Sequence, residues 1–217
     1  MFRDTSARED TILKKAFNKW GIFELYEKLD IIIKPLGNKS LPISINVSSS
    51  EFSNNNNIER LKKTIQSKDE YEKTDMNFKV FACSSRDQKE LTLKLQPIYS
   101  GIIIGEIKNK KFLPNLNFAE LIVMCNPELN YPHIILENKA ANLVIYGRDI
   151  MGNSIIDYFK EIKENQILII LNQKKEVLGI GRSRFSNNLI TQKDKITIDN
   201  VQDIGTHYLK DENNYTL

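Results

Sequence analysis

The sequence predicts an α+β protein with two domains: an N-terminal α/β domain with a mostly antiparallel sheet over residues 1–130, and a small β-barrel-like domain over residues 131–217. Three observations predict this class. A helical period opens the chain, strand-like runs follow it, and beyond a turn-rich segment come many short β runs with a single short helix. The 217 residues, 41% of them hydrophobic, exclude a mostly disordered, collagen-like or coiled-coil chain.

The first predicted element is a helix. Apolar side chains recur at a helical period from Ala7 to Leu29, and Gly21 marks a bend. Ser6 and Glu9 have the spacing of a capping box, so the helix is expected to begin just after Ser6.

Strand-like runs follow the helix. Short strands are predicted at residues 31–33, 43–47, 78–83 and 91–95. The apolar run 98–107 predicts a strand that leaves through a hairpin at the basic turn 108–111. Between the strands lie polar segments. Residues 48–57 are predicted to be a loop, residues 61–71 at most a weak helix, and residues 70–77 a charged connector.

Residues 126–132, dense in Asn and Pro, make the best domain boundary. Beyond them the pattern predicts a strand at 133–136, a helix at 138–145, a loop at 146–152 and a strand at 155–159. The clearest hairpin follows at 167–171 and 177–181, and the last strand is 196–198. Gly179 and Gly181 lack the third glycine of a dinucleotide fingerprint, so we interpret them as sites of close backbone packing.

Composition excludes several function classes. The net charge of +3 and pI of about 8.7 say little about a partner. No apolar run is long enough to span a bilayer and the N-terminus is polar, so we expect an intracellular, soluble protein with reduced thiols at Cys83 and Cys125.

Motifs for chemistry are missing from the sequence. It contains no nucleophile elbow, phosphate loop or H-E-x-x-H pair, and its two histidines, His133 and His207, are far from each other and from both cysteines. No cofactor and no metal site is therefore predicted; the thiols are expected to be buried and the histidines to lie at the surface or cap helices.

The informative feature is a local excess of basic residues. Within a 14-residue window in which Asp194 is the one acid lie Arg182, Arg184, Lys193 and Lys195. Arg182 and Arg184 are two apart in a predicted strand, so both guanidinium groups point to one face and could meet the same phosphate run. Phe185 could stack on an unpaired base. The alternative is an ordinary solvated strand edge, which Lys and Arg protect.

Three segments carry a family resemblance. Residues 142–155 (NLVIYGRDIMGNSI), the strand 177–181 (VLGIG) and the ending D-I-G-x-x-Y-L at 203–209 resemble the nuclear import protein seven (Nip-seven) family of large ribosomal subunit biogenesis factors. The upstream stretches 100–106, 111–114 and 119–121 fit the segment that precedes the RNA-binding PUA domain of that family. The resemblance runs from near Tyr99 to the end and is weak over the first 95 residues.

The resemblance implies a C-terminal PUA-like pseudo-β-barrel and a non-catalytic function. Members bind U-rich single-stranded RNA and assist pre-rRNA processing with other large-subunit assembly factors; in the archaeal branch the RNA exosome is also implicated. It places RNA-binding roles on Arg182 and Arg184, and further basic positions on Lys193 and Lys195. Arg148 is a phosphate contact on chemistry alone, with an ion pair to Asp149 or Asp157 as the alternative. An archaeal, cytoplasmic protein is expected, or a nuclear or nucleolar one if the source is eukaryotic.

Two other functions stay open at this point. An RNA-modification enzyme or its accessory targeting module would need a catalytic Asp, Cys or cofactor loop in residues 1–125, and none is identified. A protein-interaction adaptor would carry the basic surface incidentally. The chain is also longer than typical members, with the excess in 48–57 and 66–77, and the partner surface of the N-terminal domain cannot be transferred.

Overall fold

A computed structural model gives the structure of the protein, and it describes residues 1–36 and 77–206. The predicted strand 43–47, the loop 48–57 and the weak helix 61–71 lie outside the described residues, as do nearly all of the connector 70–77 and His207. The described chain forms a four-stranded antiparallel sheet followed by a six-stranded, nearly closed barrel-like sheet. The predicted α+β class, with its mostly antiparallel N-terminal sheet, is confirmed.

Two helices replace the one predicted at the N-terminus. Helix α1 (Ala7–Lys19) and helix α2 (Phe23–Lys28) are separated by Gly21, whose φ of +69° is a left-handed conformation that glycine adopts without strain. The predicted capping box is confirmed, since the backbone N–H of Ser6 donates to Glu9 Oε2 at 2.8 Å. Both carboxylate oxygens of Glu9 also accept from Arg3, at 2.8 and 2.5 Å, and this contact fixes the first residues of the chain.

The first sheet has the order β1-β2-β3-β4, with every neighbouring pair antiparallel. Its strands are β1 (Asp30–Pro35), β2 (Phe78–Cys83), β3 (Ile102–Lys108) and β4 (Lys111–Pro114). The predicted hairpin after β3 is confirmed: Asn109 and Lys110 both have positive φ, at 49° and 61°, as a two-residue type I′ turn requires.

Helix α3 (Arg86–Leu95) occupies the place of the strand predicted at 91–95, and that prediction is wrong. The alternation Leu-Thr-Leu-Lys-Leu resembles a half-buried strand, but an N-cap precedes it: Ser85 Oγ accepts from the Gln88 N–H at 3.2 Å. Thr92 Oγ1 donates to the Gln88 carbonyl at 2.7 Å, as a threonine inside a helix does. Only Thr92 is buried, and Leu91 and Leu95 are exposed.

Helix α4 (Leu116–Cys125) joins the two sheets. Its N-cap Asn115 accepts from the Phe118 N–H at 3.1 Å, and its buried side chains include Phe118 and Ile122. These belong to a core that continues into the second sheet, where it includes Ile169 and Leu171. The segment 126–132, where the sequence places the domain boundary, therefore connects two sheets that share one core.

The second sheet has the order β6-β10-β9-β8-β5-β7. Its elements are β5 (His133–Leu136), α5 (Asn138–Ile145), β6 (Ile150–Met151), β7 (Ile155–Tyr158), β8 (Ile167–Leu171), β9 (Val177–Ser183) and β10 (Ile196–Asp203). All pairs are antiparallel except β5 with β8. Side chains alternate between the shared core and a second core inside the barrel, to which Leu168 and Ile170 contribute.

Strands β9 and β10 approach each other closely at two glycines. A Cβ at Gly179 would lie 2.6 Å from the Gln202 carbonyl oxygen, and one at Gly181 would lie 2.5 Å from Ile198 Cγ2. The interpretation of this G-x-G as close backbone packing is confirmed.

The described part of the chain bears on two predictions, the lack of a membrane-spanning segment and the burial of both cysteines. None of its helices combines the length and apolar character needed to cross a bilayer. Cys83 is buried as expected, but Cys125 is exposed, at the end of α4. His133 was expected at the surface or at a helix cap; it lies instead in the buried strand β5.

Candidate nucleic-acid interface

Strand β10 brings distant basic residues together. It lies between β6 and β9, so it places the loop that joins α5 to β6, residues 146–149, beside the end of β9. The register puts Asp199 opposite Arg182 and Ile198 opposite both Ser183 and Ile150. One residue beyond β9, the Arg184 N–H donates to the Thr197 carbonyl at 2.8 Å.

Arg184 is held between two carboxylates. Its Nε donates to Asp199 Oδ1 at 2.5 Å, and its Nη2 reaches Asp149 Oδ2 at 3.4 Å. The hydrogen bond to Asp199 raises the pKa of Arg184 above its usual value, so the guanidinium stays charged. Because Asp149 belongs to the α5–β6 loop, Arg184 fastens this loop to the sheet.

A second set of hydrogen bonds fixes the same loop. The Asn200 N–H donates to Asp149 Oδ1 at 2.9 Å, and its Nδ2 donates to the Val144 carbonyl at 3.1 Å. Gly147, two residues after the end of the helix, has a φ of +75°, which allows the tight turn. The loop is thus tied to β10 by both side-chain and backbone groups.

Arg182 and Arg148 are both exposed. Within residues 1–36 and 77–206, neither makes an ion pair within 4 Å. Of the two alternative partners of Arg148, Asp149 bonds to Arg184 instead, and Asp157 forms no ion pair with it among the described residues. Phosphate contact by these two guanidinium groups stays a prediction.

Lys193 and Lys195 lie in the turn immediately before β10. They flank Asp194, which has a φ of +57°, and both are exposed. The Gly152 N–H donates to the Lys195 carbonyl at 2.9 Å, so this turn abuts the end of β6. The surface as a whole combines five basic side chains with the carboxylates of Asp149, Asp194 and Asp199.

Sequence reasoning missed one aromatic side chain. Tyr146 is 74% exposed at the end of α5, two residues before Arg148. Phe185, the aromatic considered for stacking, is half-buried. The sequence Tyr-Gly-Arg-Asp directly after a predicted helix indicates this residue, because it places an aromatic ring in an exposed turn beside an arginine, where a nucleic-acid base could stack on it.

The groups considered for metal or nucleophilic chemistry are dispersed. In the part of the chain that the structure describes, no three His, Cys, Asp or Glu side chains are grouped as metal ligands. Burial raises the pKa of the Cys83 thiol and lowers that of His133, whose Nδ1 lies 2.8 Å from the Tyr131 carbonyl oxygen. A protonated thiol is a weak nucleophile.

Comparisons with known proteins give a family and a fold. Residues 132–213 match the model of the UPF0113 PUA domain. A UPF0113 protein of Archaeoglobus fulgidus is 31% identical to the chain over 124 residues, which cover 56% of this chain and 67% of that protein. The crystal structure of a hypothetical protein from Pyrococcus horikoshii OT3 superposes with a TM-score of 0.56 at 11% identity, covering 94% of each chain. At that identity the likeness is one of fold, and it extends across both sheets.

Proposed function

The chain belongs to the UPF0113 family, and on that premise we propose that it is a non-catalytic RNA-binding protein whose C-terminal PUA domain contacts single-stranded RNA. The bound strand lies across the surface formed by the α5–β6 loop and the adjoining ends of β9 and β10. Arg182, Arg148 and the lysines before β10 contact phosphates there.

One observation carries this proposal: Arg184 secures the loop, whereas Arg182 and Arg148 form no ion pair with any residue that the structure describes. Because Asp149 and Asp199 engage Arg184, the guanidinium groups of Arg182 and Arg148 remain available for an external anion. Exposed guanidinium groups on a fixed frame suit phosphate recognition, since they lose little conformational freedom on binding. The exposed ring of Tyr146 offers a base a flat surface beside them.

The biological role follows from the sequence resemblance. We propose that the protein assists pre-rRNA processing and large-subunit assembly in the cytoplasm of an archaeal cell, with a preference for U-rich single strands. Other assembly factors and the RNA exosome are the proposed protein partners. The Tyr-Gly-Arg-Asp-Ile loop and the Asp-Ile-Gly segment at the end of β10 support this finer assignment.

Binding of a fluorescent U-rich oligonucleotide of about 20 nucleotides tests the proposal. Arg148→Ala combined with Arg182→Ala is expected to weaken binding and to reduce the slope of log K against log salt by about 1.4, since each lost phosphate contact on a single strand removes about 0.7. The matched control is Arg8→Ala with Arg86→Ala, which removes two exposed arginines from the N-terminal helices.

An unchanged affinity and salt slope in the Arg148/Arg182 variant would contradict the interface. Modification or cleavage of the RNA by the purified protein would contradict the non-catalytic assignment. Neither variant touches Arg184, because its loss would also release the loop.

A further inference from the structure

Among residues 1–36 and 77–206, helix α3 covers part of one face of the first sheet and leaves the rest of that face open. Helix α3 packs on β1 and β2, and beneath it a small core contains Ile32, Phe81 and Cys83. Because side chains on a strand alternate between faces, the residue two positions after Ile32 on β1 and the residue two positions before Phe81 on the antiparallel β2 lie on the same face beyond the helix. These residues are Lys34 and Lys79.

The strand register collects lysines on this open part. Lys34 lies opposite Lys79, Lys79 opposite Glu106, and Lys108 opposite Lys111. Ile107 and Phe112, between these positions, point to the main core on the other side of the sheet. The open part, with the adjoining turn, is called the lysine face here and comprises Lys34, Lys79, Lys108, Lys110 and Lys111.

Repulsion between like charges on the lysine face lowers the stability of the first sheet. Like charges directly opposite on neighbouring strands are destabilising, and both Lys34–Lys79 and Lys108–Lys111 are such pairs. Among the described residues of these strands beyond α3, Glu106 is the one acid, and it forms an ion pair with Lys108. Counted over the described residues, five lysines and one carboxylate lie together here, and an external polyanion would reduce the repulsion between the lysines.

An exposed aromatic residue adjoins these lysines. Lys34 Nζ donates to the Ile98 carbonyl at 2.9 Å and lies 4.8 Å from the centroid of the Phe2 ring. The residue after Ile98 is Tyr99, which is 80% exposed. Lysines in rows with an exposed ring beside them are the combination by which proteins hold single-stranded nucleic acid without sequence preference.

We propose that the lysine face, with Tyr99, is a second RNA-binding surface, located on the N-terminal domain. It takes the phosphate backbone of a single-stranded segment that extends beyond the C-terminal interface, and Tyr99 stacks on a base of that segment. This inference rests on the proposed RNA-binding function, but it uses none of the residues of the C-terminal interface. The exposed ring favours RNA over an acidic polypeptide, which offers no base to stack.

Two oligonucleotides of different length test the inference. A strand of about 6 nucleotides fills a single site, whereas one of about 30 can reach both surfaces. The test variant combines Lys79→Gln, Lys110→Gln and Lys111→Gln. The control combines Lys15→Gln, Lys28→Gln and Lys174→Gln, three exposed lysines without ion pairs among the described residues.

The test variant is expected to bind the long strand at least tenfold more weakly than the control, with a salt slope smaller by about 2, and to bind the short strand unchanged. Equal binding of the long strand by both variants overturns the lysine face and leaves the proposed function intact. If wild-type protein binds neither strand, both fall. Circular dichroism melting of each variant shows that its fold is retained.

Crosslinking identifies the ligand class. A long strand containing 4-thiouridine is expected to crosslink to the peptide that contains Tyr99, and Tyr99→Ala is expected to abolish that crosslink while Tyr99→Phe keeps it. A polyglutamate peptide that binds wild-type protein, loses affinity in the test variant and outcompetes the long strand would assign the surface to an acidic protein partner and overturn the RNA assignment.

Discussion

Arg184 and Asp149 meet across the sheet although 35 positions separate them in sequence. The contact joins the end of β9 to the α5–β6 loop over the intervening strand β10, whose Asp199 bonds to the same guanidinium. Asp149 in turn accepts the Asn200 N–H, so one carboxylate connects three elements. The shape of the candidate interface therefore depends on Arg184, whose charge is paired with two carboxylates of the interface itself.

Arg184→Lys is expected to loosen the loop. Lysine keeps the charge but cannot reach two carboxylates with a planar fork, so the bond between the Asn200 N–H and Asp149 opens more often. Hydrogen exchange at the Asn200 amide is expected to accelerate. The control is Arg182→Lys, which changes the neighbouring exposed arginine and leaves Arg184 bonded to Asp149. Equal exchange in the two variants would argue against the role of Arg184 in holding the loop.

Tyr146→Ala is expected to weaken single-strand RNA binding by about 1–3 kcal/mol, the usual value of one base–aromatic stack. The salt slope is expected to stay unchanged, because no phosphate contact is lost. Tyr146→Phe keeps the ring and should bind as wild type does. Anisotropy titrations at several salt concentrations check both points; a steep loss in the Phe variant would transfer the role to the hydroxyl.

Ile122→Ala is expected to lower the free energy of unfolding by about 2–5 kcal/mol, because Ile122 is 1% exposed and belongs to the core shared by both sheets. Trp20, the single tryptophan, reports on the N-terminal domain, and its fluorescence transition should coincide with loss of the C-terminal sheet by circular dichroism. Leu143→Ala, at an exposed site, should change little. Separate transitions in wild-type protein would contradict a shared core.

His133 is expected to make stability depend on pH in the mildly acidic range. Burial lowers the pKa of His133 in the folded protein, so the unfolded chain binds the proton more readily. Stability should therefore fall as the pH drops below about 6.5, the ordinary histidine value, and recover above it. Urea unfolding at pH 7.5 and 5.5 checks this: His133→Asn should remove much of the difference, whereas His207→Asn should retain it.

Periodicity and turn chemistry predicted much of the fold. The strands near 31–33 and 78–83 are rich in β-branched and aromatic residues, and the hairpin turn at Asn109–Lys110 is adopted with positive φ at both residues. Helix α3 was missed because Leu91 and Leu95 alternate with polar residues, while the cap that starts the helix lies six residues upstream at Ser85. Local pattern and capping disagreed there, and capping with tertiary packing decided the outcome.

The site was less accessible to sequence reasoning. The cluster from Arg182 to Lys195 is local and therefore visible, but the pairing of Arg184 with Asp149 depends on the register of β10. The lysine face is more dispersed still, since Lys34 and Lys79 become neighbours only through the pairing of β1 with β2. Composition cannot show such surfaces, because strand pairing creates them.

One continuous core runs from α1 through α4 into the second sheet and packs the two domains against each other. The C-terminal interface and the lysine face, both attached to this shared core, therefore keep a constant distance from each other. An RNA strand that binds both surfaces would be selected by the number of nucleotides between its two binding segments. It would also bind without the entropic cost of aligning two flexibly linked modules.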